Sequence, residues 1–341
     1  MRLTLNLLAA LALSAGASAQ WYVSPTGSNA NSGTSAGSPF QTINHAASVA
    51  TAGGVIYLAA GTYGDEQGII SLGTKNLSFV GAGRTSTVIR AHSTLTSTLP
   101  TGFLASPGSA AHKVVWLVDG SATVNLRDVT LDGNFAAPDT PPASYTGRFH
   151  GAYFRNGADG TLENVEIRNV RFNPFSFSTS QVEVYLRGDG SGDPCLVTMR
   201  NCSLNNFGKA AIAAFFNADI EVNDTSIGGM GATANVAQVG VQISYGASAQ
   251  LNRCTITNIF FTPGTAVANG FLAYEASSVA LTDCSLSNCQ AGIYFIDPTP
   301  GAITGSVTNC SVSGAEEPIT FDGVGGLTIS GNYFGNVLSG G

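Results

Sequence analysis

Charge is what this chain most lacks. Lys, Arg, Asp and Glu make up 10% of its 341 residues, with 14 basic against 21 acidic groups and a net charge of −7. So few cations leave no basic footprint for a nucleic acid. Long apolar runs are missing too: after the first stretch no segment holds the ~20 unbroken apolar residues of a spanning helix. The long amphipathic periodicity of a helical bundle is likewise absent. In place of charge stand 42 glycines and many Ser, Thr and Asn residues, a composition that suits stacked strands joined by tight turns.

The first nineteen residues are set apart. Arg2 opens them, residues 3–13 are an apolar run, and Ala17-Ser18-Ala19 precede Gln20. That is the pattern of a cleaved secretory leader, so residues 20–341 are expected to be one exported, soluble domain, extracellular or periplasmic.

One short phrase recurs every ~22–50 residues, the mark of a repeat architecture. It reads LRDVTL at 126–131, LENVEI at 162–167, MRNCSL at 199–204, LNRCTI at 251–256, LTDCSL at 281–286 and VTNCSV at 307–312. Looser copies are TKNLSF at 74–79, VNDTSI at 222–227 and VGGLTI at 324–329. The first apolar residue ends a strand, a two-residue corner follows, and the small and aliphatic residues face inward on the next strand. The second corner residue is Asn76, Asp128, Asn164, Asn201, Asp224, Arg253, Asp283, Asn309 and Gly326. Asn, Asp and Gly tolerate the left-handed backbone such a corner needs.

A third strand precedes the small inward position, through Trp116, Ala152, Val184, Ile212, Val241, Phe271, Ile293 and Ile319. Three strands per coil in parallel register predict an all-β, right-handed parallel β-helix of roughly nine to ten coils. The segment 21–63, WYVSPTGSNANSGTSAGSPFQTINHAASVATAGGVIYLAAGTY, resembles the opening of bacterial right-handed parallel β-helix proteins of the pectate-lyase-like superfamily. That resemblance implies a short helix, about 38–51, plugging the open end of the stack. Ile43, Ala46, Ala47 and Ala50 do fall on one helical face.

Six cysteines in an exported chain would ordinarily pair. Here Cys202, Cys254, Cys284 and Cys310 share one inward column, where cysteine acts as a small hydrophobe. Cys254–Cys284 and Cys284–Cys310 are adjacent at ~4.8 Å of rise and within bridging range. Cys195 and Cys289 are assigned to separate loops. Buried free thiols are the expectation.

The third strand is flanked by the most variable loops (133–150, 169–182, 187–195 and 228–239), so its outer face is where a long ligand would lie. Two outward columns run Leu117, Tyr153, Tyr185, Ala213 and Asp119, Arg155, Arg187, Phe215. Glu183 is assigned to the same face, His150 to the preceding loop, and Lys209 to the approach of the next strand. In so neutral a chain, Asp119, Arg155, Glu183, Tyr185 and Arg187 form the candidate catalytic set, with Tyr153, His150 and Lys209 as substrate contacts. Arginine holds carboxylates bidentately and tyrosine offers an apolar ring face, a combination suited to an acidic polysaccharide. A solvated ladder of ion pairs is the plainer reading of the same charges.

Proton abstraction beside a uronate carboxylate needs a base and a group that neutralises the developing charge. The resemblance implies an arginine or lysine as base, a role for Arg155 or Arg187, with calcium or another cation as neutraliser. GDGSGDP at 188–194 puts Asp189 and Asp193 in a glycine-rich loop suited to calcium, against the plainer reading of an acidic turn. Glu183 with Asp119 or Asp189 would be the carboxylate pair of a glycoside hydrolase. The Gly-His-Gly, tandem-aspartate and Arg-Ile-Lys motifs of polygalacturonase-type hydrolases are absent, as is the WxDH-type motif of pectate lyases. The expectation is therefore a polysaccharide-binding or -degrading protein, with a uronate lyase on one side and a non-catalytic glycan-binding, adhesive or structural rod on the other. No helix follows the last repeat before Ser339, so self-association at that edge is also expected.

Overall fold

The structure, a computed structural model, describes residues 18–93, 95, 112–134, 148–171, 181–188, 192–262, 266–299, 301–335, 337 and 338. Most of the leader, Asp189 and the final 339–341 thus lie outside the described residues, and so do parts of the loops 133–150, 169–182 and 187–195.

Three parallel sheets wind around one axis, of eleven, ten and nine strands. The first runs from Gln20–Val23 to Gly326–Ser330, the second from Gly61–Tyr63 to Tyr333–Gly335, and the third from Ile69–Leu72 to Glu317–Asp322. Each strand pairs with its counterpart one coil away, so columns of side chains run along the axis. Ile167, Leu204, Ile227, Ile256, Leu286 and Val312 make one such buried column, and Trp116 meets Phe79 edge-on across the interior at 4.7 Å.

The corner inside the repeated phrase is left-handed at Asp128, Asn164, Asn201, Asp224, Arg253, Asp283 and Asn309, with φ between 51° and 60°. Side chains tie these corners together. Asn164 Nδ2 donates to Asp128 Oδ1 at 2.6 Å, and Asn201 Nδ2 donates to Asn164 Oδ1 at 3.3 Å. Arg253 keeps the register by placing its guanidinium on Asp224 at 2.7 Å.

Two loose copies of the phrase belong one sheet earlier. Leu77 and Phe79 pair with Val124 and Leu126, and Leu327 and Ile329 pair with Gly305 and Val307, all in the first sheet. Asn76 and Gly326 are therefore not left-handed corners. The reason is that first-sheet strands and the strands after the corner share one in–out alternation, so period two cannot tell them apart. Asn76 instead accepts the Thr123 N–H at 2.8 Å. The true last corner is Gly331 at φ 66°, ahead of Tyr333–Gly335.

The cap helix is Ile43–Val49, with Thr42 at its N-cap and Ile43, Ala46 and Ala47 buried. Glu66 closes its N-terminus, accepting the Ile43 and Asn44 N–H groups at 2.7 and 2.8 Å. All six cysteines are buried and free. Cys289 lies in the strand Ser285–Cys289 rather than in a loop. No helix among the described residues is long and apolar enough to cross a membrane. The last coil leaves Ile329, Tyr333 and Phe334 exposed.

Candidate functional site

On the outer face of the third sheet, three adjacent strands carry the charge: His112–Asp119, Arg148–Arg155 and Gln181–Arg187. Their register puts Leu117, Tyr153 and Tyr185 in one column and Asp119, Arg155 and Arg187 in the next. Both columns match the spacing of the sequence. The start of each strand does not.

Pairing steps over one residue per strand, between His150↔Val114 and Ala152↔Trp116 and again between His150↔Val182 and Ala152↔Val184. Two consecutive residues there face the interior, as with Val115 and Trp116 or Ala211 and Ile212, all in the main core. The residues on either side then face outward together. Val114, Leu117, Tyr153, Val182, Tyr185 and Ala213 form a second apolar cluster apart from that core. The stepped-over column is tight: a Cβ on Gly151 would lie 2.5 Å from the Glu183 carbonyl oxygen and 2.7 Å from Ile167. Its recurrence as Gly151, Gly240, Gly270 and Gly292 is the sequence signal of the irregularity.

This step corrects two placements. His150 is a strand residue on the outer face, not a loop residue. Glu183 belongs to the inward column and is fully buried, with no hydrogen bond to either carboxylate oxygen. Burial drives its pKa well above the carboxylate range; the neighbouring Asn205 N–H opposes this and Glu166 adds to it. Glu183 and Asp119 thus sit on opposite sides of one sheet and do not make a carboxylate pair.

What assembles outside is a compact set. His112 Nδ1 and His150 Nε2 are 3.1 Å apart, one donating to the other. His150 stacks on Tyr185 with centroids 4.6 Å apart, and Tyr153 lies 4.8 Å from Tyr185. Arg155 Nε meets Asp119 Oδ2 at 3.2 Å, and Asn156 Nδ2 donates to Asp119 Oδ1 at 2.7 Å. Arg187 is half-buried and carries its guanidinium 4.6 Å over the Phe216 ring.

Burial sets the protonation states, with neighbouring titratable and charged groups as the second influence. His112 is pushed down to about 4 by burial and then by Arg148, Arg155 and Arg187. His150 is lowered well below its ordinary value by burial, His112 and Arg148. Both imidazoles are therefore neutral at pH 7. The Asp119 carboxyl is raised by burial, against which Arg155 and Asn156 pull. The Tyr153 phenol is raised by burial and by Tyr185, and stays protonated.

Lys209 stands aside from this set. It occupies the strand-start column with Gln181 and Gln238, and its Nζ donates to the Ala237 carbonyl. Asp193 packs against Gly157 and accepts from Ser121 Oγ at 3.4 Å. Among the described residues no group of three or more His, Cys, Asp or Glu side chains has the arrangement of a metal site; Asp189, the other residue of the calcium expectation, lies outside the described residues. Residues that sequence reasoning missed are His112, Phe216 and Tyr245, whereas Tyr274 falls in the outward column that runs through Arg187, Phe215 and Ser244. The skipped position hides the first of these, and Phe216 and Tyr245 lie along the edge of the same sheet.

Two overlapping stretches of the chain, 114–297 and 153–336, match the family described as right handed beta helix region, and the chain belongs to it. Residues 25–70 also match a family described as a protein of unknown function. No curated protein matches the sequence. Among solved structures, XylC in complex with xylose aligns with a TM-score of 0.56 at 12% identity, over 92% of this chain and 68% of that one. A rhamnogalacturonan lyase aligns at 0.56 and 14% identity, over 86% and 74%. The pectate lyase Pel9A aligns at 0.52 and 13% identity, over 90% and 78%. At these identities the likeness is one of fold, the right-handed parallel β-helix.

Proposed function

We propose that this chain binds and degrades an acidic polysaccharide along the outer face of its third sheet, as a uronate lyase. One observation carries the reading: two neutral histidines, two tyrosines and the Asp119, Arg155 and Arg187 side chains gather on three successive coils of a face whose next four strands carry none of these charges in those columns. The carbohydrate-directed names of the structural neighbours agree with it. Export after loss of residues 1–19 is part of the same proposal, since a polymeric substrate is met outside the cell.

In this reading Arg187, the cluster's partly exposed arginine, holds the uronate carboxylate and stabilises the charge that develops when the neighbouring C–H is broken. The neutral His112–His150 pair takes that proton. The C–O bond to the next sugar breaks, a double bond forms in the uronate ring, and the departing oxygen takes a proton from Tyr185. Asp119 and Asn156 hold Arg155, which is thereby a positioning residue and not the base.

The burial of His150 and of Tyr185 (0% and 3% exposed) favours a second reading, a non-catalytic glycan-binding face in which the cluster braces Arg187. One experiment decides. Wild type, Arg187→Ala and His150→Gln are incubated with polygalacturonate and with alginate, and the ultraviolet absorbance of an unsaturated uronate is followed beside binding in affinity gels. A lyase produces absorbance that both variants lose. A binding protein produces none yet is retarded, and Arg187→Ala abolishes the retardation. Neither product nor retardation with any acidic polysaccharide sinks both readings.

A further inference from the structure

The corner after the third sheet repeats the task of the corner in the phrase: in most coils, though not at Gly188 or Asp297, one residue turns left-handed. Gly120 and Asn156 do so at φ 92° and 58°, as expected of their side chains. The later coils place Phe216 at φ 63° and Tyr245 at φ 56° in the same position. A bulky residue held there costs about 1–3 kcal/mol, a strain that clusters at functional sites. Nothing in the fold requires a ring there, because Gly120, Asn156 and Glu275 fill the same position in other coils.

Nor are these rings held in place by the core. Tyr245 is 48% exposed, while Phe216 and Tyr274 are half-buried. They line up along the axis. Phe216 and Tyr245 stack with centroids 5.9 Å apart and 24° between planes, and Tyr274 meets Tyr245 edge-on, at 5.5 Å and 75°. At the upstream end Arg187 lies over Phe216, so the row of rings continues directly from the charged coils.

We propose that Phe216 and Tyr245 form a stacking rail for the apolar faces of successive pyranose units, one ring per coil, with Tyr274 edge-on at its far end, in a chain whose acidic unit is held at Arg187. The inference rests on the reading of the third-sheet face as a polysaccharide site and adds its extent, its direction and its second half. The ligand runs along the helix axis from the charged coils toward the C-terminus. It is an extended glycan that presents uronate carboxylate to Arg187 and unsubstituted ring faces beyond it. Exposed tyrosine and phenylalanine rings suit such faces because they are apolar and lose little freedom on contact. Glu275, next in the corner at φ 51°, stands beside Tyr274 as an acceptor for sugar hydroxyls.

The strain makes a clean test, because Tyr245→Asn removes the ring and supplies a residue at ease in a left-handed corner. The variant is expected to unfold at an equal or higher temperature than wild type. Its affinity for polygalacturonate and alginate in gels is expected to fall by roughly two- to tenfold. Phe216→Asn is expected to do the same and the double variant to lose more. Unchanged affinity in both single variants overturns the rail, whatever their stability. If wild type is retarded and Arg187→Ala weakens retardation while the ring variants do not, the rail alone fails. If wild type is not retarded and yields no unsaturated product, the polysaccharide reading fails with it.

Discussion

Two corners of the same coil do the same geometric job with different residues. In the phrase corner the left-handed position is filled by Asp128, Asn164, Asn201, Asp224, Arg253, Asp283 and Asn309, tied by side-chain contacts along the axis. In the corner beside the third sheet it is filled by Gly120, Asn156, Phe216, Tyr245 and Glu275. The first series follows backbone preference nearly throughout. The second departs from it where rings stand in the open, and its neighbouring strands depart from the chain's neutrality as well. Where selection serves only the stack, local preference and fold agree; where they conflict, a ligand is the economical cause.

The largest expected effect contrasts an ion pair from each region. Arg155 and Asp119 are both nearly buried, with side chains 10% and 3% exposed. Removing one partner strands the other's charge, so Arg155→Ala should lower unfolding free energy by about 3–5 kcal/mol in a denaturant titration. Arg253 and Asp224 are closer, at 2.7 Å, but about half exposed. Arg253→Ala should leave the midpoint almost unmoved, since solvent screens such a pair. Equal losses would erase the distinction between the two regions.

The pH profile sharpens it further, because the buried acid and the buried imidazoles act with opposite sign. His112 falls to about 4 in the folded chain, against ~6.5 unfolded. The unfolded state then binds more protons, so stability should rise with pH across that window and level off above it. His112→Gln should flatten this limb. Glu183 is raised, so the folded state binds more protons and stability should fall as pH climbs above the unfolded value of ~4.3. Glu183→Gln should therefore stabilise at neutral pH by about 1–3 kcal/mol and confer nothing below pH ~4. Thermal melts from acid to neutral pH read both, and a Glu183→Gln gain that persists in acid would remove burial of a charge as its cause.

Much of this architecture was legible because two periods reinforce each other: inward alternation along each strand and an Asn or Asp at each corner. The columns through Tyr153, Tyr185, Arg155 and Arg187 followed from spacing alone. What escaped has a physical reason in each case. A single stepped-over position leaves period two intact on both sides while reversing its phase, so Glu183 read as outward and His150 as a loop residue. The segments 74–79 and 324–329 share their alternation with the next sheet, so nothing local marks them as one strand early. Phe216 and Tyr245 were invisible as a site because sequence shows their hydrophobicity and not their left-handed backbone.

The smallest expected effect asks whether the phrase corners hold by backbone preference or by their side-chain ladder. Asn164 contributes both: its φ is 52°, its Nδ2 donates to Asp128 and its Oδ1 accepts from Asn201. Asn164→Gly keeps the conformational ease and deletes the two hydrogen bonds, whereas Asn164→Ala deletes both contributions. The ladder is partly solvated, so Gly should cost about 1 kcal/mol and Ala roughly 1 kcal/mol more, the penalty of a Cβ in the left-handed region. Denaturant midpoints of the two variants separate these terms. Should Ala prove no worse than Gly, the left-handed preference is not what selects Asn in the scaffold corner. The aromatic residues of the third corner would then cease to be exceptions to a rule, and their strain would no longer argue for a ligand.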